Sequence, residues 1–409
     1  MDTTTLKNHT PQSGYHRLFV ATLFACCALL AVTAPPALGA TDKVTSSTAL
    51  VLRTPSQQIP DTALLDVGIP TLNNGLYLAD EDDTVFPEVR FAEAIYFSNQ
   101  LAKVMEKSGA WGAIRVTPSA NVIMDLYITG TILQSDGETM DLEIQVKDSS
   151  GKQWFAKKYK QTTGKYAYDR RLKRLGDPFE NLFIRIANDL LAYREKLSDQ
   201  QAIELRTISE LRFAKSFSPE AFDNYVSERR DGTLKIDRLP AENDSILMRV
   251  RKIRERDYLY VDTMQDYYDD FSQQMHFAYQ EFRRASYDSV VKARQLNRQG
   301  NRRIIAGIGS ILAGIYGRSQ ADSRIASDAS SATAAVGGFV LKSGLEKKQE
   351  SAAYNESIAE MGSSLESEIA PQVIELEDRT VTLTGTVQAQ YQQWQDLLYK
   401  IYNQERGTL

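Results

Sequence analysis

The spacing of apolar positions changes along this chain, and each change marks a structural boundary. Lys7 and Arg17 precede an apolar run from Leu18 to Val32, and small residues follow at Ala37-Leu38-Gly39. That order predicts a secretion signal over residues 1–40, cleaved near Gly39 or Ala40. Residues 41–60, rich in Ser, Thr and Gln, read as a linker. The run Ala63 to Ile69, closed by Pro70 and an Asn73-Asn74-Gly75 turn, suits a buried strand. From Pro87 the period lengthens, and Phe91, Ile95, Leu101, Val104 and Met105 fit one face of an amphipathic helix ending at Ser108-Gly109. Alternation then returns over 114–116, 122–133, 140–146 and 153–159. Ser135-Asp136-Gly137-Glu138 and Asp148-Ser149-Ser150-Gly151 separate the last three at hairpin distance, which predicts an antiparallel meander. Asp177-Pro178-Phe179-Glu180 reads as a helix start with Asp as N-cap and Pro at the first helical position, ahead of the apolar face Phe179, Leu182, Phe183, Ile186, Leu190 and Leu191. Together these elements predict a two-layer α/β domain over 61–200.

Beyond it the pattern is helical. Residues 201–245 read as a helical connector, and 246–302 as one long helix whose Met264, Tyr268, Phe271, Met275, Ala278, Phe282 and Ala285 alternate by four and three as a heptad seam does. Between 303 and 345 small residues recur every fourth position in two neighbouring stripes, Ala306, Ser310 and Gly314 beside Gly309, Ala313 and Gly317. Gly337 and Gly338 answer them across a polar turn at 318–328. This is a glycine-zipper pattern, which lets helix backbones approach closely. Residues 346–409 predict a returning helix, with Ile358, Met361 and Leu365 on one face, and a final helix carrying Val387, Tyr391, Trp394, Leu398 and Ile401. Val373 to Thr386 fits either a strand pair or a strained helix. The expected fold class is therefore α+β: an N-terminal α/β domain with an antiparallel meander, followed by a long antiparallel helical hairpin that forms a coiled-coil-like stalk. Such a stalk would carry the zipper roughly 100 Å from the connector.

The strand leading into "GIPTLNNG", the helix ending "LAKVMEKSGAWGAIRV", the strand "MDLYITGTI", the "SDGE" turn, the hairpin "LEIQVKDSSGKQWFAKKY" and the helix "IRIANDLLAYREKL" resemble in order the N-terminal domain of TolB. The α/β domains of the curli secretion protein CsgG and the penicillin-binding-protein activator LpoB are similar. The resemblance covers residues 60–200 and implies a domain that binds a protein partner in the Gram-negative envelope without catalysing a reaction. Neither a β-propeller nor a barrel-forming hairpin pattern follows here. "VTLTGTV" resembles a fragment of the BON domain.

Composition narrows the chemistry. Cys26 and Cys27 are the only cysteines, and both lie in the signal run. Its removal would leave no disulfide, no thiolate nucleophile and no Cys-based metal site. A lipid on a processed Cys is the competing outcome. His9 and His16 leave with the signal, so His276 stands alone and reads as a surface histidine on the long helix. The formal net charge of −5 is modest, which argues against nucleic acid as partner. Arg249, Arg251, Lys252, Arg254 and Arg256 interleave with Glu255 and Asp257 and read as a solvated helix face. Asp257, Asp262, Asp266, Asp269 and Asp270 lie among Tyr258, Tyr260, Tyr267 and Tyr268 in an acidic-aromatic patch, the one place where glycan hydrolysis by paired carboxylates is conceivable. Gly307-Ile308-Gly309 and the Lys342 region lack the glycines of a dinucleotide loop and a phosphate loop.

The expectation is a non-enzymatic periplasmic, outer-membrane-associated assembly protein without cofactor or metal. Its α/β domain docks an envelope protein. Its tip, through Ala306, Gly309, Ser310, Ala313, Gly314, Gly317, Gly337 and Gly338, contacts membrane or sister subunits in a homo-oligomer. The alternatives are an α-helical pore former and a cell-wall glycan enzyme.

Overall fold

The computed structural model describes residues 43–44, 50–78, 85–168, 177–241, 243–298, 357–358, 360, 372–375 and 380–407. The signal run and the whole zipper, 303–345, lie outside the described residues.

The chain is α+β. Strand β1 is Lys43–Val44, β2 is Val67–Pro70, β3 is Ile114–Thr117, β4 is Leu126–Ser135, β5 is Thr139–Asp148 and β6 is Gln153–Thr162. They form one sheet in the order β1-β6-β5-β4-β2-β3. β2 runs parallel to both β3 and β4, β4-β5-β6 pair antiparallel, and β1 adds in parallel at Lys43↔Lys160 and Val44↔Gln161. A parallel neighbour needs a crossover. Helix α1, Pro87–Glu106, supplies it between β2 and β3. Helix α2, Glu180–Arg194, follows β6 and packs against α1 and the sheet. β5 alternates buried and half-buried side chains along most of its length, with Met140, Leu142, Ile144 and Val146 fully buried.

Helices α3, Asp199–Phe217, and α4, Pro219–Phe222, come next. α3 starts with a complete capping box, in which the Ser198 hydroxyl accepts from the Gln201 amide and the Gln201 side chain accepts from the Ser198 amide. The expected helical connector also holds a short hairpin, β7 Val226–Glu228 with β8 Leu234–Ile236, turned by Gly232 at φ 81°.

Helix α5 runs unbroken from Ser245 to Arg298, 54 residues, or about 80 Å. Its seam is buried at Leu247, Val250, Ile253, Val261, Met264, Tyr268, Phe271, Met275, Tyr279 and Phe282. The expected partner of this seam, the returning helix, lies outside the described residues apart from 357, 358 and 360. α5 lies along the α/β domain, against α1, β3 and α3. It also closes the sheet: the Val116 amide on edge strand β3 donates to Gln265 Oε1 at 2.7 Å, and Arg115 holds Asp262 at 2.6 and 3.2 Å. An edge strand otherwise offers unpaired backbone groups to other chains. The stretch left open between strand and helix is a strand pair, β9 Gln372–Glu375 with β10 Thr380–Leu383. Helix α6, Val387–Gly407, then packs back on α5.

Two further expectations need correction. The face of α1 is wider than its apolar stripe, because α5 covers the side that the sheet and α2 leave free. Arg90, Glu93 and Asn99 are therefore buried, as is Ser98 against the end of β2, where it donates to the Pro70 carbonyl and accepts from the Leu72 amide, whereas Phe91 and Ile95 are only half-buried. Helix α2 begins at Glu180, three residues beyond the predicted N-cap, since Asp177 uses its carboxylate elsewhere as well as accepting from the Phe179 amide at 2.8 Å.

The turn between β4 and β5 touches α5 so closely that a Cβ on Gly137 would lie 2.4 Å from the Arg283 carbonyl oxygen and 2.8 Å from the Tyr287 amide nitrogen. Both are backbone atoms and cannot rotate aside. Gly137→Ala is expected to destabilise the chain by about 1–3 kcal/mol, measured by urea unfolding. Gly164→Ala, where a Cβ meets nothing within 4 Å, serves as the control.

Candidate functional site

The polar side chains that the fold brings together lie along α5, in clusters set into an otherwise apolar seam. The deepest surrounds Arg283, which is 1% exposed. Its Nη1 donates to both oxygens of Asp177 at 3.1 Å, and its plane meets the rings of Tyr279, Phe179 and Phe97 at 4.0, 4.7 and 5.6 Å. Gln280 donates to the same carboxylate at 2.5 Å. Burial works against the charge on Arg283, but the field of Asp177 and the surrounding phenol oxygens raises its pKa further, so it stays a cation. Its Nε and Nη2 find rings in place of hydrogen-bond acceptors.

One turn away, Tyr279 donates to Glu93 Oε1 at 2.5 Å and Ser135 donates to the same oxygen at 2.6 Å. Arg90 lies 3.4 Å from Oε2. Thus α1, the end of β4 and α5 meet at one carboxyl. Burial raises the pKa of Glu93 against the opposing pull of Arg90 and the two hydroxyls.

Nearer the start of α5, Arg254 donates to Tyr258 at 2.6 and 3.0 Å and to Ser209 at 2.9 Å. Ser209 in turn donates to Asp125, a buried carboxylate that also accepts from the Asp66 amide at 2.9 Å. This group joins α3, α5 and the ends of β2 and β4. In the basic run predicted to be a solvated face, Arg251, Lys252 and Arg256 are exposed, and two of them also reach other elements: Arg251 holds Glu210 on α3 at 2.5 and 3.1 Å, and Arg256 holds Glu405 on α6 at 3.0 Å.

The acidic patch is divided among partners. Asp257 is buried against α6, Asp262 holds Arg115, and Asp269 accepts from Asn99 at 2.5 Å and lies 3.2 Å from Lys103. Asp266 and Asp270 are exposed. These carboxylates therefore do not face one another across a common cleft. His276 is exposed, as the sequence predicts, and its Nδ1 shares a 2.7 Å hydrogen bond with the Tyr96 hydroxyl.

A cleft of about 250 Å³ opens where α1, α2 and α5 converge, lined among others by Lys103, Lys107, Glu106, Asp177, Glu180 and His276. Its charges alternate in sign. Asp177 is neutralised by Arg283 and Lys103 by Asp269. Burial, with Asp269 nearby, raises the Glu106 pKa, and Lys103 opposes the shift. Among the described residues no three His, Cys, Asp or Glu side chains come together to hold a metal ion.

The predicted contact residues Ala306, Gly309, Ser310, Ala313, Gly314, Gly317, Gly337 and Gly338 all lie outside the described residues. Comparison with protein-family models, with curated proteins and with solved structures gives no match. Among the described residues no helix is long and apolar enough to cross a membrane.

Asp177→Ala would strand the Arg283 charge in the core and is expected to cost about 3–5 kcal/mol. Arg283→Met in the same chain should restore a large part of it, read as the coupling in a double-mutant cycle of urea unfolding. Glu93 carries a second expectation. Its folded pKa lies above the unfolded value, so its contribution is complete below the ordinary carboxylate range and is lost as pH rises through the folded value. Glu93→Gln should flatten that part of the profile of melting temperature against pH.

Proposed function

We propose that this chain is a non-enzymatic, secreted cell-envelope assembly protein. Its α/β domain docks a protein of the envelope, and its glycine-zipper segment contacts membrane or sister subunits. The observation that carries this reading is the path of α5. The same helix that is built into the α/β domain continues past its contact with the β4-β5 turn at Tyr287 to Arg298, a further 16 Å or so. The apolar small-residue segment starts at Arg303. On the returning chain Ile358 is already buried, and the Gln372 side chain donates to Tyr267 on α5 at 2.5 Å, about 30 Å back along the helix from Tyr287. Both ends of the intervening stretch are thus tied to one rigid element, with the exit end leading away from the domain. This arrangement supports presentation of the zipper at a distance from the α/β domain.

Support for docking comes from side chains that the fold leaves uncovered. Tyr77 and Tyr166 are each 72% exposed, on the short helical turns that follow the β2 loop and β6. Large exposed aromatics of this kind are favoured anchors at protein interfaces. The division of the acidic patch among separate partners supports a binding role over glycan hydrolysis.

The chain expressed with its native signal is expected to fractionate with membranes, to resist salt and carbonate, and to be released by detergent. Replacing Cys26 and Cys27 by Ser should leave that behaviour unchanged, whereas Gly314→Leu should weaken it and lower the cross-linked oligomer while the circular dichroism of the soluble domain is retained. Release by salt alone would overturn the contact role of the zipper. Leakage from protein-free vesicles would favour the pore former.

A further inference from the structure

Helix α6 is held to α5 by an interface with a carboxyl group at its centre. Asp257 is 1% exposed. From α6, Gln395 donates to its Oδ1 at 2.6 Å, and the Tyr391 hydroxyl lies 3.4 Å from Oδ2. Gln395 also donates to the Tyr391 oxygen at 2.8 Å, so the two α6 side chains form one unit facing the carboxyl. Beside them the rings of Tyr260 and Trp394 stack with centroids 4.8 Å apart and planes 18° from parallel, which seals the site from solvent. Every α6 group that faces Asp257 is therefore neutral.

The cations nearby are committed elsewhere. Arg254, one turn earlier on α5, directs its guanidinium to Tyr258 and Ser209. Arg256 reaches outward to Glu405 at the rim, Arg251 to Glu210 on α3, and Arg406 to Glu220 on α4. Among the described residues an ionised carboxylate at this position has hydrogen bonds but no paired charge, and the cost of burying it falls on the α5-α6 contact. A protonated carboxyl has no such cost, and its O–H can donate to the Tyr391 oxygen.

We propose that Asp257 makes the docking of α6 on α5 a proton-dependent latch, closed when the carboxyl is neutral and loosened when it ionises. Burial pushes the Asp257 pKa up to about 7, against the opposing pull of the α6 donors and Arg254. The folded value lies above the unfolded one, so the stabilisation is complete in acid and is lost as pH rises through neutrality. The latch needs no ligand, and it stands whatever the zipper segment contacts.

Hydrogen exchange of the full chain, followed by mass spectrometry between pH 5.5 and 8.5 and corrected for intrinsic exchange, tests it. Protection of the 387–407 peptides should fall by about tenfold or more over this range with a midpoint near neutrality. Protection of the 180–194 peptides on α2 should not follow that profile. Asp257→Asn should abolish the dependence. Gln395→Lys, which places a cation beside the carboxyl, should move the midpoint well below neutral pH, and it covers the case in which the Asn variant fails to fold. A flat α6 profile in the native chain, an unchanged one in the Asn variant, or an unmoved midpoint in the Lys variant would each overturn the latch.

Discussion

The pairing of Arg283 with Asp177 is the constraint on which the arrangement of the chain depends. An apolar seam alone would tolerate α5 sliding by one turn, because a shift of about 5.4 Å replaces one large side chain by another. A guanidinium cannot discard its charge in the core. Asp177, at the entrance to α2, is the carboxylate in reach, and the rings of Phe97, Phe179 and Tyr279 fill the remaining directions. With Arg283 in place, Tyr279 meets Glu93, Gly137 fits under the α5 backbone, and the register of the seam is set.

The same placement solves the problem of sheet edges. β3 has a strand on one side and α5 on the other, where Gln265 accepts from the Val116 amide and Asp262 holds the Arg115 side chain, so the edge is covered. At the opposite edge β1 covers Lys160 and Gln161 on β6. The long helix is thus a component of the α/β domain over its first forty or so residues. It is not a separate stalk joined through a connector.

The residues that were legible were those whose signal is local. The alternation of β4, β5 and β6, the helices beginning at Pro87 and Val387, and the seam from Met264 to Phe282 all follow from spacing that a single element imposes on itself. What the seam faces was hidden, because a heptad pattern describes one helix face and is silent about its cover. Asp177 read as an N-cap and Arg251 to Arg256 as a solvated face, since a charged residue in sequence does not reveal a partner over a hundred positions away on another element, as Asp177 is from Arg283. One signal was present: Arg283, beside Phe282 and four residues from Tyr279, is a charged side chain flanking the seam. Glu93 between Ala92 and Ala94 is a second signal of this kind. The stretch of small residues on which the sequence expectation centred lies outside the described residues.

Helix α5 contains neither glycine nor proline between Ser245 and Arg298, the residues at which helices most often kink. Asp257 and Arg298 are therefore about 60 Å apart on one unkinked element, which the α/β domain grips repeatedly between them, at Asp262, Gln265, Asp269, His276, Tyr279 and Arg283. A tilt imposed at the Arg298 end is met first at Arg283 and Tyr279, and the contacts behind them share the load. In mechanical terms α5 is a clamped beam and not a lever, stiff between its supports because no hinge interrupts it.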